Sequence, residues 1–351
     1  MILELLGGAA IAAIASLIAC RALIAAGPLD RPGMARKAHL TPTPTSGGLA
    51  IAFGFAIGLM ALALMTHAIE GRIAPNGAHL LTLTSCFAYA FLLLGFIDDA
   101  HPLSARLKFV VFTLLSLGAA LAMGPLLELS LTDEISLKLP FWLGLIGTAL
   151  WVFTLVNCVN FMDGANGLAM GSVAIGLLAL AGVAYAQGTT AGVAIALSGA
   201  GALAGFLFWN FPHGKLFAGD SGALFAGALA ALASILVIHR TGLPPLIPPI
   251  LFFPLLADAL LTLAWRAIRR RSLFDGHSEH IYQIAIHAGM SHGEVAVIYW
   301  AATAACGAIG YSVTDHTGAE ALVALAALGF AAIIVSVIVR RFAARRGVEG
   351  V

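Results

Sequence analysis

LTLTSCFAYAFLLLGFIDDA, residues 81–100, decides how this chain must fold. It is apolar apart from a few hydroxyl groups until it meets two adjacent carboxylates, Asp98 and Asp99. A helix needs about 20 apolar residues to cross the hydrocarbon core of a bilayer. This run has that length, and the carboxylates mark where the chain leaves the lipid. The rest of the sequence repeats the theme. Of 351 residues, 60% are hydrophobic and only 10% are charged. A soluble domain carries about 25% charged residues, so lipid is the expected solvent.

The same ruler finds eleven apolar segments, centred near Ala12, Ala56, Ala88, Ser116, Ala149, Leu177, Leu197, Leu229, Pro254, Ala304 and Leu328. The first, residues 1–26, lacks a basic leader and exceeds signal-peptide length, so it reads as a retained span. Only residues 187–190 separate the sixth segment from the seventh. The expected fold is all-α: about eleven transmembrane helices in a single membrane-embedded domain, residues 1–351. With the N-terminus outside and the C-terminus cytoplasmic, 15 of the 18 Lys and Arg residues fall on the cytoplasmic side. Only Arg72, Lys138 and Arg240 fall outside. That bias is the one the positive-inside rule describes. A net charge of +1 gives no argument for nucleic-acid binding. Cys20, Cys86, Cys158 and Cys306 sit in or beside apolar runs without a pairing pattern and read as small buried hydrophobes.

The cytoplasmic connections carry chemistry. The first, RPGMARKAHLTPTPTSGG over residues 31–48, combines basic residues with a stiff Thr-Pro stretch. In the second, Asp98 and Asp99 repel one another and need a cation or polar cleft, for which Arg106 and Lys108 are candidates. The third, NCVNFMDGANGLA, spaces Asn157, Asn160, Asp163 and Asn166 three residues apart, beginning inside a span. Polar side chains at that depth are costly and usually line a site. Gly164 and Gly167 permit tight turns there. The fourth contains FAGDSG, where Asp220 can cap a helix or hold a hard cation such as magnesium. The ninth segment carries five prolines between residues 244 and 254 and should be bent or broken. Asp258 lies within it, an expensive place for a charge. After it come Arg269, Arg270 and Arg271, then His277 and His280, which share a face if helical. Alone, the basic triplet reads as an anchor; beside a His pair it suggests phosphate binding.

There is no GxSxG elbow, Walker loop or Cys nucleophile site. Carboxylates suit magnesium, and Arg, Lys and His suit phosphate. Together they point to phosphoryl transfer to a lipid-linked partner, in which the protein mainly positions groups and neutralises charge.

GFIDDxxxLSARxK, NxxNFMDGxxGLA, FAGDSG and HxxHIYQ, in this order, resemble the MraY/WecA superfamily of polyprenyl-phosphate N-acetylhexosamine-1-phosphate transferases over nearly the whole chain. The resemblance implies transfer of a sugar-1-phosphate from a UDP-sugar to undecaprenyl phosphate, releasing UMP, at the cytoplasmic face of the bacterial inner membrane. It implies a magnesium ion, with manganese as a substitute, held by Asp220 and Asp98. Asp98 and Asp99 would be the catalytic pair, and Lys108 would neutralise phosphate charge. Asn157, Asn160, Asp163, Gly164 and Asn166 would shape the nucleotide pocket, with Phe217 stacking on uracil and Lys37 and His39 binding substrate. His277 and His280 would contact the diphosphate. A homodimer is compatible with the family, and no nucleic-acid partner is expected. Asn166 departs from the Asp of many relatives, and the late motif lacks the His triplet of the peptidoglycan branch, which favours a WecA-like enzyme initiating a cell-surface glycan. The rival reading is a secondary transporter with an acidic cytoplasmic site, suggested by Asp258 and the proline-broken span.

Overall fold

A computed structural model describes residues 2–26, 29–30, 43–65, 75–130, 135–272, 276–314 and 318–348. The protein is all-α and polytopic. Its helices are α1 (Ile2–Ala26), α2 (Gly47–Met65), α3 (Pro75–Ala100), α4 (Ala105–Met123), α5 (Phe141–Met162), α6 (Leu168–Ala186), α7 (Thr190–Asn210), α8 (Gly219–Thr241), α9 (Ile247–Leu251), α10 (Phe253–Ile268), α11 (Ile281–His287), α12 (His292–Ser312) and α13 (Gly318–Arg345). Two short antiparallel pairs complete the described structure: β1 (Leu29–Asp30) with β2 (Thr43–Pro44), and β3 (Glu128–Ser130) with β4 (Ser136–Lys138).

Among the described residues, ten helices are long and apolar enough to cross a bilayer. They coincide with ten of the eleven expected segments. The ninth is interrupted. Pro248 and Pro249 open α9, Pro254 opens α10, and Phe252 breaks the helix between them, since proline supplies no backbone N–H to continue the ladder. The narrow gap between α6 and α7 is a true break: Gly188 takes φ +72° and the Thr189 hydroxyl accepts the Gly192 N–H.

The centre of the molecule is α8, whose apolar stretch from Ser221 to Ile238 is buried by its neighbours. It packs against α2, α3, α5, α6 and α7. Lipid tails provide no hydrophobic drive between spans, so close backbone packing through small residues takes its place. The α1–α7 contact shows this: a Cβ on Gly201 or Gly205 would come within 2.2 Å of the Ala9 or Ala13 carbonyl oxygen of α1. By contrast, α13 is almost entirely exposed and presents Val323, Phe330, Ile334 and Ile338 outward. Cys20, Cys158 and Cys306 are buried, whereas Cys86 is exposed on α3. That departs from the sequence expectation because the outer face of α3 meets lipid rather than protein.

Candidate active site

The carboxylates gather where α3, α4 and α8 meet. Asp98 closes α3 and is buried. Its Oδ1 accepts the Leu103 N–H at 2.7 Å, and its Oδ2 is ion-paired with Lys108. Ser104 caps α4 by accepting the Leu107 N–H, which sets Lys108 one turn into that helix. The Lys108 ammonium also reaches Asp220 Oδ2 at 2.9 Å, so one cation bridges two carboxylates. Asn160, near the end of α5, points its amide at Asp220 Oδ1 across 3.5 Å.

Asp99 does something different. Its Oδ1 accepts the Asp220 N–H at 2.8 Å and its Oδ2 the Ser221 N–H at 3.0 Å. It caps the first turn of α8 from another helix. Either member of an adjacent Asp pair could have capped a turn; here Asp99 caps, and Asp98 is left facing the cation. The approach is tight: a Cβ on Gly95 would meet the Asp220 carbonyl and Ser221 Cα at 2.5 Å. Gly219, at φ +69°, leaves room for the Asp99 carboxylate, which a Cβ there would approach to 2.6 Å.

The NFMDG segment ends α5 and turns into α6. Asn157 spends its amide on the Phe153 carbonyl of its own helix and lines a cavity with Lys108 and Asn160. Asp163 follows the last residue of α5. Burial pushes its carboxyl well above the usual range, and the charges of Asp220 and Asp99 push it further. Asn166 donates to the Pro212 carbonyl at 3.1 Å, and its backbone N–H approaches His292 Nδ1 at 3.5 Å. Gly164 faces Tyr282, whose hydroxyl donates to the Phe161 carbonyl at 3.2 Å; a Cβ on Gly164 would collide with that hydroxyl. Phe217 precedes α8, its backbone joined to Pro44 and Gly47. Lys37 and His39 lie outside the described residues.

His277 and His280 do come together, their ring centroids 5.0 Å apart. They do so without a shared helix, because α11 begins only at Ile281. The reason is Asp258. Its two oxygens accept the Ile281 and Tyr282 N–H groups at 2.8 and 3.0 Å, starting α11 there. Asp258 also faces His280 Nδ1 at 3.3 Å and receives hydroxyls from Tyr299 and Thr262. The intramembrane charge that suggested transport is thus a fully engaged anchor for the His segment. Burial, with the charges of His280 and Arg266, lowers His277 to about 4. His277 is therefore neutral near pH 7.

Sequence reading missed Tyr282, Tyr299 and Asn210. Asn210 is buried; it accepts the Gly167 N–H at 2.6 Å and donates to the Leu216 carbonyl at 2.8 Å, tying the α5–α6 turn to the loop before α8. An amide side chain at the very end of an apolar span was the available signal.

A cavity of about 650 Å³ opens from this cluster. Lys108, Asn157, Asn160 and Gly276 form its polar end, and Phe109, Phe112, Phe153, Leu260 and Leu263 its apolar walls. A second, apolar cavity of about 420 Å³ shares Leu150, Thr154 and Leu260 with it and continues toward Leu126 and Pro245.

Fold and site together define a multi-pass membrane protein that gathers carboxylates and an ammonium at the end of an apolar groove. The profile of glycosyl transferase family 4 matches residues 81–238. The chain is 30% identical over 285 residues to a Bacillus subtilis (strain 168) protein named probable undecaprenyl-phosphate N-acetylglucosaminyl 1-phosphate transferase, covering 80% of this chain and 75% of that one. It is 29% identical over 305 residues to the decaprenyl-phosphate N-acetylglucosaminephosphotransferase of Mycobacterium tuberculosis (strain ATCC 25618 / H37Rv), covering 78% and 73%. A phospho-N-acetylmuramoyl-pentapeptide-transferase of Desulforudis audaxviator (strain MP104C) is 28% identical over 288 residues, covering 76% and 83%. This chain belongs to glycosyl transferase family 4, within the MraY/WecA superfamily.

Proposed function

We propose that this protein transfers an N-acetylhexosamine-1-phosphate from a UDP-sugar to undecaprenyl phosphate, releasing UMP, at the cytoplasmic face of the bacterial inner membrane. The single observation that carries the reading is the continuity of the Asp98–Lys108–Asp220 cluster with the apolar cavity between α4, α5 and α10. Charged groups suited to phosphate stand at one end, and space for a hydrocarbon chain runs from the other. The named relatives from Bacillus and Mycobacterium carry a polyprenyl phosphate in their names.

In this reading the acceptor phosphate enters beside Lys108, which offsets its charge. Asp98 takes the proton of the lipid phosphate. A phosphate oxygen then forms a bond to the β-phosphorus of the donor while the bond to the α-phosphate breaks, and its electron pair leaves on UMP. Asp99, with both oxygens held by α8, is the positioning residue that fixes the height of Asp220. His277, being neutral, can accept or donate a hydrogen bond to the diphosphate without adding charge.

The donor set fits magnesium. Asp98 and Asp220 offer carboxylate oxygens around one ammonium, a spacing that also suits a hard divalent ion. Among the described residues no group of three or more His, Cys, Asp or Glu is poised to hold a metal. Magnesium needs only one or two carboxylates, completing its shell with water and substrate phosphate. Bound there, it would polarise the diphosphate and offset developing charge.

The test is UMP release from purified protein given magnesium, undecaprenyl phosphate and a panel of UDP-N-acetylhexosamines. Asp220→Ala is expected to abolish turnover while leaving the protein inserted. Near-normal turnover in that variant refutes the metal role. No UMP from any donor, with the Bacillus relative active alongside, overturns the reaction.

A further inference from the structure

The second cavity, the apolar one, lies far from the charged cluster, and α5 measures how far. Asn160 stands at the polar end of the first cavity and Gly144 lines the second, both on the same helix. At 1.5 Å per residue, the stretch from Asn160 back to Gly144 covers about 24 Å. The hydrocarbon core is about 30 Å thick, so one leaflet supplies about 15 Å of it. The second cavity therefore reaches past the midplane, into the leaflet opposite the transfer site. The two cavities meet at Leu150, Thr154 and Leu260, and both leucines are exposed there.

The proline-broken ninth span explains the gap. α10 packs against α5, whereas α9, on the other side of Phe252, packs against α6, α12 and α13. The chain thus leans away from the far half of α5, and Pro245, Pro248 and Pro249 become the opposite wall. On the α5 wall the polar atoms are already used. Thr148 accepts the Leu126 N–H at 2.9 Å and donates to the Gly144 carbonyl at 2.8 Å. Trp151 Nε1 donates to the Ala231 carbonyl of α8 at 3.2 Å. The surface left for a ligand is mostly hydrocarbon.

Geometry selects the occupant. A phospholipid whose headgroup sat beside the charged cluster would have tails ending near the midplane, at the first cavity. A polyprenyl chain whose phosphate sits at Lys108 is longer than one leaflet is deep and must continue. Lipid offers that chain an equally apolar surrounding, so the cavity can select it only by fit.

We propose that the second cavity holds the distal isoprene units of the acceptor, so that the protein selects its acceptor by chain length as well as by phosphate. This rests on undecaprenyl phosphate being the acceptor. Gly147 supplies the test. It lines the second cavity, and among the described residues a Cβ there would meet nothing within 4 Å. Glycine is also a poor residue for a helix interior. Gly147→Trp therefore narrows the cavity with the fold intact, which thermal unfolding checks, and Gly147→Leu replaces it if the tryptophan variant unfolds. Gly147→Ala, adding only the Cβ, is the control. Binding of undecaprenyl phosphate and of farnesyl phosphate, whose tail is too short to pass the midplane, is followed in neutral detergent by native mass spectrometry.

Wild-type protein is expected to prefer the long acceptor. Gly147→Trp is expected to lower that preference about tenfold, the cost of forcing a side chain and a prenyl chain into one space, and Gly147→Ala to keep it. Equal binding of the two acceptors by wild-type protein, or an undiminished preference in Gly147→Trp, overturns the proposal. Loss of a co-purified phospholipid from Gly147→Trp with the preference retained also overturns it, and assigns the cavity to a lipid of the opposite leaflet. UMP release on the same preparations keeps the two claims apart: a long-chain preference that Gly147→Trp lowers, without UMP from any donor, removes the reaction and leaves the chain-length site standing.

Discussion

Replacing Asp99 with Asn tests whether the acidic pair divides its labour. Both Asp99 oxygens accept backbone N–H groups at the start of α8, at 2.8 and 3.0 Å. Asparagine keeps one acceptor and turns an amide donor against the other N–H. It also removes a negative charge from a helix N-terminus. Loss of a cap costs about 0.5–2 kcal/mol, and loss of the charge about 0.3–1 kcal/mol. Because Asp99 is exposed, the lower halves of these ranges apply, and about 1–2 kcal/mol of destabilisation is expected. Asp220 rides on the freed turn, and a displacement near 1 Å costs about a hundredfold in rate. Asp99→Asn should therefore lose stability and turnover together. Asp98→Asn leaves the α8 backbone bonds intact and should lose turnover, with a stability cost set by its Lys108 ion pair and not by the α8 cap. Thermal unfolding and UMP release, measured on the same detergent preparations, separate the two. Asp99→Asn protein with a wild-type unfolding midpoint and no turnover would make Asp99 the reacting carboxylate and refute the division.

Gly95→Ala forces α3 away from the α8 backbone it would meet at 2.5 Å; a loss of about 1–3 kcal/mol is expected, read by thermal unfolding, with wild-type stability counting against the close contact. Asp258→Asn leaves His280 and the start of α11 without their carboxylate, and about 3–5 kcal/mol of stability should go. A fully stable Asp258→Asn protein would show that the anchor is dispensable. His277 titrates near 4 when folded instead of 6.5, because burial disfavours its charge. The unfolded chain then binds a proton that the folded one refuses, so stability falls as pH drops from 6.5 toward 4 and is unaffected above that window. His277→Gln should flatten that fall, and an unchanged difference between the two unfolding curves argues against a neutral His277.

The spans were legible because a bilayer demands long apolar runs, and the break in the ninth because proline cannot continue a helix. The residues of the site were also legible as types: Asp98, Lys108, Asn160 and Asp220 meet as their shared side of the membrane suggested. Their division of roles was not. Asp99 caps a helix that begins 120 positions later in the chain, and adjacent carboxylates look alike until a distant N–H selects one. Asp258 looked costly because the backbone that satisfies it lies across a loop, in a segment that the sequence left conditionally helical and that is extended at His280. Gly95 is one of 39 glycines, and nothing local distinguishes it from the rest. Asn166, the sequence departure, meets Pro212 and His292, contacts that no spacing rule could supply.

The enclosure of α8 has a consequence for how the protein responds to its membrane. A span in contact with lipid tilts or shifts when the hydrocarbon thickness changes. α13, almost all of it exposed, must follow the bilayer in this way. The apolar stretch of α8 is buried among its neighbours, so the depth of Asp220 is set by neighbouring helices and by the Asp99 clasp. The reaction centre is thereby mechanically insulated: acyl-chain length should move the rim of the molecule and leave its chemistry in register.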